Sequence, residues 1–483
     1  MKNSIEIMPE LIGSNNFVNC EISSLHLDSR DVKEGGVFFA IKGRNLNGMD
    51  FIEEARSKGA KLIVSEELIN DKGVVHCDNL KTLLGKFSSR FYSDVSKELT
   101  TFCATGTNGK TTSVETYANI CARLGKQCGY ISTIGKSING KGVDELSYLT
   151  TPDPISLNHS FSEMLLNGAT HAAFEASSHG LYQGRLSGIN IDYAVLTSFS
   201  QDHLDYHKSL EEYGNAKRIL FKELKPKYSF IQIDSEFGLN LHKDLIENKA
   251  EVFSVSLEKK SDFSASFNKT DDSLEVSLKS PYGKTEFNLR TISRYIASNV
   301  ICSIAALSVE GVKIDKLAEC ASEISFPAGR LESIPAGKDI CYVDYAHTPE
   351  ALKHALKEIR EFYGAEIWCV FGCGGDRDKG KRPIMGKIAE DYSDHVVITD
   401  DNPRNEAPQK IMDDILEGTT KSENIKTISD RREAIKFTLE EMAKRKNMNI
   451  MLLAGKGHEN YQIIGSKRNK FDDRETLLSL TKS

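Results

Sequence analysis

The stretch Thr105-Gly106-Thr107-Asn108-Gly109-Lys110-Thr111-Thr112 lies between an apolar run at 99–104 and a helical pattern at 113–124. A strand, a glycine-rich turn and a helix start form the arrangement that cradles phosphate. The glycines let several backbone N–H groups point inward, and the helix N-terminus adds positive potential. The sequence therefore predicts a phosphate-binding loop.

Side chains of this loop have expected roles in nucleotide binding. Lys110 would reach the terminal phosphates, and the hydroxyl of Thr111 or Thr112 would hold Mg²⁺. The general pattern has a glycine five residues before Gly109, where this chain has Ala104. The alternative for a Gly-Lys-Thr turn is an ordinary connection between a strand and a helix.

Length, composition and net charge limit the classes of protein to which this chain can belong. At 483 residues the chain is too long for one ordinary core, so two or three domains are expected. Its composition, 39% hydrophobic and 27% charged, is typical of a soluble globular protein. The formal net charge of −7 gives no overall field that favours nucleic acid, so a polyanionic ligand has to be met by local basic groups.

Cysteine spacing and the N-terminal segment indicate a cellular compartment. The ten cysteines lack the spacing of a disulfide framework or a zinc site, and the three-residue gap of the closest pair, Cys369 and Cys373, fits neither a CxxC redox motif nor a zinc site. Reduced thiols are therefore expected. The first residues contain no apolar leader, and no run approaches the ~20 apolar residues of a membrane span. We expect a cytoplasmic protein without membrane insertion.

Hydrophobic patterning divides the chain into three α/β units, which we place at residues 1–95, 96–325 and 326–483. Strand candidates alternate with helix-length segments in the second and third units, as in mainly parallel sheets. The alternation in the third unit is that of a doubly wound, Rossmann-like fold, and its polar motifs follow the strand ends, where such sheets bind ligands.

The predicted elements are as follows. The first unit has strands at 36–41 and 61–65 with a helix at 51–58 between them. The second has strands at 127–134, 171–176, 193–197 and 229–233, a hairpin at 262–267 and 274–278, and a helix at 292–307. The third has strands at 340–343, 366–371, 395–399, 427–428 and 449–453.

Three polar residues occur in consecutive strand-end segments of the second unit. Glu175 ends a strand candidate, where a carboxylate can hold the Mg²⁺ of a nearby nucleotide, although a solvated strand-end acid is the alternative. His203 follows the next strand, and Lys217 lies fourteen positions further on. Since a protonated amine is a poor metal ligand, Lys217 would be a phosphate contact or a surface charge on physical grounds alone.

The chain resembles the Mur ligases, which build the stem peptide of peptidoglycan, in four motifs. These are the loop at 105–112, Glu-Ala-Ser-Ser-His-Gly at 175–180, Asp-His-Leu-Asp-Tyr-His at 202–207 and Tyr-Gly-Asn-Ala-Lys at 213–217. The resemblance covers nearly the whole chain. It implies a small N-terminal UDP-binding domain, a central P-loop ATPase-like parallel sheet and a C-terminal Rossmann-like domain. It also implies that Lys217 is carbamylated and joins Thr111, Glu175 and His203 around Mg²⁺.

The same resemblance implies where a UDP-N-acetylmuramoyl-dipeptide would bind. Asp28-Ser29-Arg30 looks like the pyrophosphate-binding segment of the N-terminal domain, although such a tripeptide is otherwise typical of a turn or a helix cap. Further contacts are implied for residues with hydroxyl, amide or guanidinium groups, which suit an anionic nucleotide sugar. They are Thr150, Thr151, Ser177, Gln183 and Arg185.

For ATP, the resemblance implies contacts with the phosphates, the ribose and the base. The loop would contribute Gly106, Thr107, Asn108, Gly109, Lys110, Thr111 and Thr112. Arg330 would meet phosphate and Asp344 the ribose, although such a pair could equally be a salt bridge. The family has two asparagines three residues apart near the base; Asn299 fits the second, and Ile296 stands at the first.

Asp401-Asn402-Pro403-Arg404 indicates which amino acid is added, because it resembles the motif of ligases that add meso-diaminopimelate. This amino acid differs from lysine by one distal carboxylate, for which an arginine offers a planar bidentate partner. The implied contacts are Arg377, Asp401, Asn402, Arg404, Gly455 and Glu459. The alternative for the motif is a solvated turn, since Asp, Asn and Pro are all turn residues.

The implied activity is ATP-driven, acyl-phosphate-mediated addition of meso-diaminopimelate to the D-glutamate of UDP-N-acetylmuramoyl-L-alanyl-D-glutamate. Lys110, Glu175, His203 and Lys217 would be its catalytic residues, with Mg²⁺ as cofactor and the chain acting as a monomer. The alternatives are a lysine-adding ligase, a folylpolyglutamate synthase, and a P-loop ATPase or binding protein without ligase activity.

Overall fold

The computed structural model describes residues 2–43, 46–71, 73–143, 149–204, 206–270, 272–420 and 422–481. Asp205, in the fourth position of the motif at 202–207, lies outside these residues. Three separate parallel or mixed sheets follow one another along the chain, and each is built from one of the three α/β units described above.

In the described part of the first unit, a four-stranded parallel sheet has the order β3-β4-β5-β6, and β1 and β2 form a separate antiparallel pair. The strands are β1 (Lys2–Asn3), β2 (Glu21–Ile22), β3 (Leu25–His26), β4 (Val37–Ala40), β5 (Leu62–Ser65) and β6 (Val74–His76). The α-helices are α1 (Ser4–Ile7), α2 (Ile52–Ser57) and α3 (Leu80–Phe91).

The second unit forms the largest sheet. Its strands are β7 (Thr100–Thr105), β8 (Cys128–Ser132), β9 (Gly135–Ile138), β10 (Lys141–Val143), β11 (His171–Glu175), β12 (Tyr193–Leu196), β13 (Tyr228–Gln232), β14 (Val252–Ser256), β15 (Phe263–Lys269), β16 (Leu274–Ser280) and β17 (Gly283–Leu289). Its helices are α4 (Lys110–Arg123), α5 (Pro154–Leu166), α6 (Ser178–Tyr182), α7 (Leu210–Lys222), α8 (Glu236–Glu247), α9 (Arg294–Val309) and α10 (Ile314–Ser322).

The order of this sheet is β10-β9-β8-β11-β7-β12-β13-β14-β15-β16-β17. Neighbouring strands from β8 to β15 in this order are parallel, and antiparallel strands extend both edges. Side chains of β7 alternate between the faces: Phe102 packs in the core under α4 and α9, whereas Cys103 packs in the core under α5 and α7. Both faces are covered, as parallel sheets require.

The third unit has the sheet order β18-β19-β23-β20-β21-β22, parallel except for the β18–β19 pair. Its strands are β18 (Glu332–Ala336), β19 (Asp339–Asp344), β20 (Glu366–Phe371), β21 (His395–Ile398), β22 (Ile425–Thr427), β23 (Asn449–Ala454), β24 (Tyr461–Ile464) and β25 (Lys467–Lys470). Its helices are α11 (Pro349–Phe362), α12 (Lys381–Tyr392), α13 (Pro408–Leu416), α14 (Arg431–Ala443) and α15 (Asp473–Thr481).

Several predicted elements differ from the observed ones. The strand expected at 127–134 ends at Ser132, because the chain reverses there into the hairpin strand β9. The strand expected at 427–428 is β22, which ends at Thr427. The predicted hairpin is present as β15 and β16, and β17 adds a third strand to it. No helix in the described part of the chain is long and apolar enough to cross a membrane.

Candidate functional site

The predicted phosphate loop joins β7 to α4 in a tight curl. The Lys110 amine donates to the carbonyls of Gly106 and Thr107, at 2.9 and 3.0 Å. Gly109 has a φ of +88°, and a Cβ at Gly106 would lie 2.0 Å from the Thr197 hydroxyl, so both positions require glycine. The loop therefore has the backbone needed to surround a phosphate, with a cation folded into it.

Glu175 lies directly beside this loop because β11 and β7 are parallel neighbours, with Glu175 paired to Ala104. The Thr111 hydroxyl donates to its carboxylate at 2.8 Å, and the Thr133 backbone N–H donates to the same oxygen at 2.8 Å. Mg²⁺ is held in proteins by one or two carboxylates together with hydroxyl, water and phosphate oxygens. The oxygens of Thr111 and Glu175 fit such an ion in their chemistry.

Lys217 is buried at 1% exposure, so the surface charge considered for it on physical grounds is wrong. Its amine lies 4.4 Å from the centre of the Tyr213 ring, and no ion pair joins it to a carboxylate within the described ranges. Burial and the charge of Lys110 lower the pKa of Lys217 well below its ordinary value, against the opposing effect of Asp202. The amine is therefore shifted toward its neutral, nucleophilic form.

His203 adopts a left-handed backbone conformation, with a φ of +54°. Its Nε2 lies 3.5 Å from the Asp202 carboxylate, and its ring centre lies 4.8 Å from that of His179. Burial alone would raise the pKa of Asp202, but His203, His347 and Lys110 lower it overall. Over the part of the chain that the structure describes, no three His, Cys, Asp or Glu side chains converge on one cation position.

A cavity of about 360 Å³ opens beside the phosphate loop, between the second and third sheets. Asn299, Arg330 and Asp344 line it, as the sequence predicts for a nucleotide site, and so does Ile296. The Asn299 amide packs on the loop, since a Cβ at Gly109 would lie 2.6 Å from its oxygen. Ile296 gives this wall an apolar surface where the resemblance leads one to expect a second amide.

Arg330 and Asp344 approach the loop from the third unit. The Arg330 guanidinium donates to the Thr111 hydroxyl at 3.3 Å and stacks over the Tyr345 ring at 4.8 Å. The Asp344 carboxylate accepts from the Leu331 backbone N–H at 2.7 Å, and burial raises its pKa. The two residues do not form the salt bridge that was the alternative interpretation: each has partners of its own.

Five of the six residues expected to bind the dipeptide substrate lie together. The Thr151 hydroxyl donates to Ser177 Oγ at 3.0 Å, and its carbonyl accepts from Arg185 at 2.5 Å. Arg185 also donates to the Gln183 side chain at 2.7 Å. Thr150 is half-buried and lies 3.4 Å from the Thr133 hydroxyl, which connects this group to Glu175. Together the residues form a polar wall next to the phosphate loop.

Ser29 lies in the first unit, where Asp28 caps a short 3₁₀ helix. Its buried hydroxyl donates to the Glu54 carboxylate at 2.6 Å, and Asp28 and Arg30 form an ion pair at 2.6 Å. The Asp-Ser-Arg segment is therefore a helix cap in this structure. The pyrophosphate contact of Ser29 remains a prediction.

The predicted amino-acid site lies at the carboxyl ends of β21 and β23. Asn402 donates to the Glu459 carboxylate at 2.8 Å, and the Asp401 carboxylate lies 3.8 Å from where a Cβ of Gly455 would stand. Arg404 has a φ of +51° and directs its guanidinium to the Gly375 carbonyl at 2.8 Å. Arg377 is exposed at the same rim.

Sequence reasoning missed two charged residues of this site. Lys456 is fully buried between Asp401 and Glu459, and Arg431 is fully buried behind the segments that carry them. Arg431 forms an ion pair with Asp473 at 2.7 Å and donates to the Ala454 carbonyl at 2.9 Å. Lys456 could have been found from its place in Gly455-Lys456-Gly457-His458-Glu459, next to two predicted contacts.

The cavity beside the phosphate loop and the predicted amino-acid site adjoin each other. The Gly455 N–H donates to the Asp344 carbonyl at 3.0 Å, across neighbouring strands β23 and β19. Gly329 packs against the backbone of the same segment, because a Cβ there would lie 2.2 Å from the carbonyl carbon of Gly457. The His458 and Tyr345 rings are in contact, with their centres 4.9 Å apart and their planes inclined at 39°.

Comparison with protein families gives three matches along the chain. Residues 21–92 match the model described as Mur ligase family, catalytic domain; residues 104–307 match the Mur ligase middle domain; residues 329–457 match the Mur ligase, glutamate ligase domain. The second of these contains the phosphate loop, Glu175, His203 and Lys217, and the third contains the Asp-Asn-Pro-Arg motif.

Individual relatives match over nearly the full length. The UDP-N-acetylmuramoyl-L-alanyl-D-glutamate–2,6-diaminopimelate ligase 1 of Clostridium acetobutylicum is 38% identical over 472 residues, 96% of each chain. The ligase of the same name from Bacillus cereus is 37% identical, covering 95% of this chain and 93% of its own. A solved structure of a UDP-N-acetylmuramoyl-L-alanyl-D-glutamate–2,6-diaminopimelate ligase superposes with a TM-score of 0.72 at 32% identity, covering 100% of this chain and 99% of its own.

Proposed function

The chain belongs to the Mur ligase family, and we propose that it is the ligase that adds meso-diaminopimelate to UDP-N-acetylmuramoyl-L-alanyl-D-glutamate at the expense of ATP. Such a reaction would supply a peptidoglycan precursor. Relatives that carry this name match at 37–38% identity over nearly the whole chain, which supports the choice of amino acid.

One observation carries the proposal: the hydrogen bond between the Gly455 N–H and the Asp344 carbonyl, 3.0 Å long. It joins the segment predicted to bind the amino acid to the segment predicted to bind the nucleotide. A ligase has to hold the activated acid and the attacking amine at reacting distance. A protein that only binds or hydrolyses ATP has no need for a second polar site there.

The reaction would proceed in two steps. The carboxylate of the D-glutamate side chain attacks the γ-phosphorus of ATP, which gives an acyl phosphate and ADP. The amine of diaminopimelate then attacks the acyl carbon, phosphate leaves with the electrons of the C–O bond, and the nitrogen loses a proton. Lys110 and Arg330 would offset the negative charge on the transferring phosphoryl group, and Thr151, Ser177 and Arg185 would orient the acid.

Mg²⁺ would supply further charge neutralisation at the phosphates. Thr111 and Glu175 have the donor oxygens for it, and we propose that His203 and a carbamylated Lys217 complete the set. In carbamylation the neutral amine attacks the carbon of CO₂, the nitrogen loses a proton to solvent, and the resulting carbamate is an anionic, carboxylate-like oxygen ligand. The burial of Lys217 and the lack of an ion-paired carboxylate in the described residues support this step.

Several further points belong to the same proposal. We propose domains at residues 1–95, 96–325 and 326–483, a UDP-sugar site that includes Ser29, and a cytoplasmic location. We also propose a monomer, since one chain contributes the phosphate loop, the cavity and the amino-acid site. Light scattering at working concentration measures the oligomeric state, and a dimer would contradict this last point.

Phosphate release tests the function directly. The wild-type chain receives ATP, Mg²⁺ and UDP-N-acetylmuramoyl-L-alanyl-D-glutamate, with meso-diaminopimelate or L-lysine in parallel. Turnover that requires the UDP-sugar and diaminopimelate supports the proposal. Turnover with lysine instead would keep a ligase but change its amino acid, whereas phosphate release indifferent to both substrates would indicate an ATPase.

A further inference from the structure

Lys456 is a buried lysine whose charge the reaction described above does not use. Its side chain has 0% exposure, and its amine lies 3.3 Å from the Glu459 carboxylate and 3.6 Å from the Asp401 carboxylate. The amine also donates to the Asn402 side-chain oxygen at 3.3 Å. Burying a long, charged side chain is costly unless it is paired, so this position is closely defined by its partners.

The charges around Lys456 do not cancel. Asp401 and Glu459 contribute two negative charges and Lys456 one positive charge, which leaves the trio with one net negative charge. The neighbouring cation Arg431 is paired with Asp473 through two hydrogen bonds of 2.8 and 2.7 Å, so this pair adds no net charge to the site. The trio can therefore take up one further cation from a ligand.

Arg404 supplies a complementary positive charge at the same edge of the sheet. Its guanidinium donates to the carbonyls of Gly375 and Asn402, which carry no net charge. Arg404 and the trio together are electrically neutral, and the charge of Arg377, which is exposed at the rim, is screened by solvent. A ligand end that carries both an ammonium and a carboxylate leaves it neutral, whereas an end with only one of these groups leaves a buried charge uncompensated.

We propose that Lys456 is a positioning residue that sets this charge balance, so that the site selects an amino acid whose distal end carries both an ammonium and a carboxylate. The inference rests on the proposed function. Lys456 acts through Asp401 and Glu459. Its positive charge neutralises one of their two negative charges and leaves one net negative charge to pair with the ammonium of the substrate. Without it, the site would carry an excess negative charge and favour a distal end with an ammonium alone.

Three amino acids that differ only at the distal end test the balance. They are meso-diaminopimelate, L-lysine, which lacks the distal carboxylate, and L-2-aminopimelate, which lacks the distal ammonium. We would measure kcat/KM for each with wild-type protein and with Lys456→Met, which keeps the length of the side chain and removes its charge. Lys467→Met, in the exposed strand β25, which pairs with β24 in an antiparallel hairpin, is the matched control.

In Lys456→Met, the kcat/KM for lysine relative to that for diaminopimelate should rise by about tenfold to a hundredfold. The kcat/KM for 2-aminopimelate relative to that for diaminopimelate should fall by a similar factor. This size of effect is expected for one unit charge at a few ångströms. The opposite directions distinguish a role in charge balance from a role in packing, because a packing defect would change both ratios in the same way. Lys456→Arg should restore the wild-type ratios in large part, and Lys467→Met should leave them unchanged.

Glu459→Gln keeps the inference testable if Lys456→Met does not fold. This change removes one negative charge, so the two ratios should move in the directions opposite to those of Lys456→Met. If the wild-type chain uses diaminopimelate but the variants do not shift the lysine and 2-aminopimelate ratios in opposite directions, the inference is overturned and the proposed function stands. A wild-type chain that uses none of the three amino acids would overturn the proposed function, and this inference with it.

Discussion

The Arg330 guanidinium lies 3.3 Å from the Thr111 hydroxyl, although 219 positions separate the two residues along the chain. Thr111 also donates to Glu175, and Arg330 lies over the ring of Tyr345, which in turn contacts the ring of His458. A continuous series of contacts therefore runs from the phosphate loop to the segment that carries Glu459. It shows how a cation of the third unit reaches the site at which phosphate is expected.

Replacing Arg404 should separate the two candidate amino acids. Arg404→Ala removes the proposed partner of the distal carboxylate, so kcat/KM for diaminopimelate should fall by about 10- to 100-fold, as for a charge-assisted hydrogen bond worth roughly 1.5–3 kcal/mol. Activity with lysine, measured by phosphate release, should not fall by this factor. Arg432→Ala, an exposed arginine of α14, is the control and should behave as wild type. An equal loss with both amino acids would contradict this role.

Carbamylation of Lys217 makes activity depend on CO₂. In buffer stripped of CO₂ the rate of phosphate release should decline, and bicarbonate should restore it, because the buried amine is regenerated and modified again. Lys217→Arg cannot be carbamylated and should lose at least about a hundredfold in kcat, as when a group that stabilises transition-state charge is removed. A CO₂-independent wild-type rate would argue against the modification.

Glu115 should make stability depend on pH. Burial and the charge of Glu175 raise its pKa to about 7, against the hydrogen bond from Ser132 and the charge of Arg330. The folded state therefore holds a proton that the unfolded chain releases near pH 4.5, and stability falls as pH rises from about 4.5 through 7. The loss is on the order of 3 kcal/mol.

Urea unfolding at pH 5 and pH 8, with a chelator present, measures this effect. Glu115→Gln should flatten the slope between the two values, mainly by raising stability at pH 8. The pKa of Glu358 is also raised to about 7, so the unfolding free energy of Glu115→Gln should still decrease with pH by the contribution of Glu358. The exposed Glu247→Gln is the control. Equal slopes in wild type and Glu115→Gln would show that Glu115 is ionised in the folded state.

Removing one partner of the Arg431–Asp473 ion pair should destabilise the protein more than removing both partners. Both side chains have 0% exposure, so Arg431→Met leaves an unpaired buried carboxylate and should lower the free energy of unfolding by about 3–5 kcal/mol. The double change Arg431→Met with Asp473→Leu removes both charges and should recover most of that loss. Denaturant unfolding of the two single variants and the double variant gives the coupling, and additive losses would contradict it.

Sequence patterns predicted the strands and strand-end motifs because buried parallel strands are short apolar runs followed by polar loops. Glu175 could be placed beside the phosphate loop on that basis, and the register of β11 with β7 agrees. The burial of Lys217 and Lys456 could not be predicted, since a charged residue is ordinarily exposed and only tertiary partners reverse this. The contact of Arg330 with Thr111 depends on how two sheets meet, which no local pattern encodes.

Strands β19 and β23 are parallel neighbours, with Asp344 paired to Ala454. The segments that follow these strands therefore belong to one stiff element and cannot move apart without breaking the sheet. A rigid-body rotation of the third unit would carry both segments together, away from the phosphate loop or toward it. Only the contacts that cross to the second unit, such as Arg330 with Thr111, would change in length. A rotation that releases the product bound at the phosphate loop would therefore also release the product bound near the predicted amino-acid site.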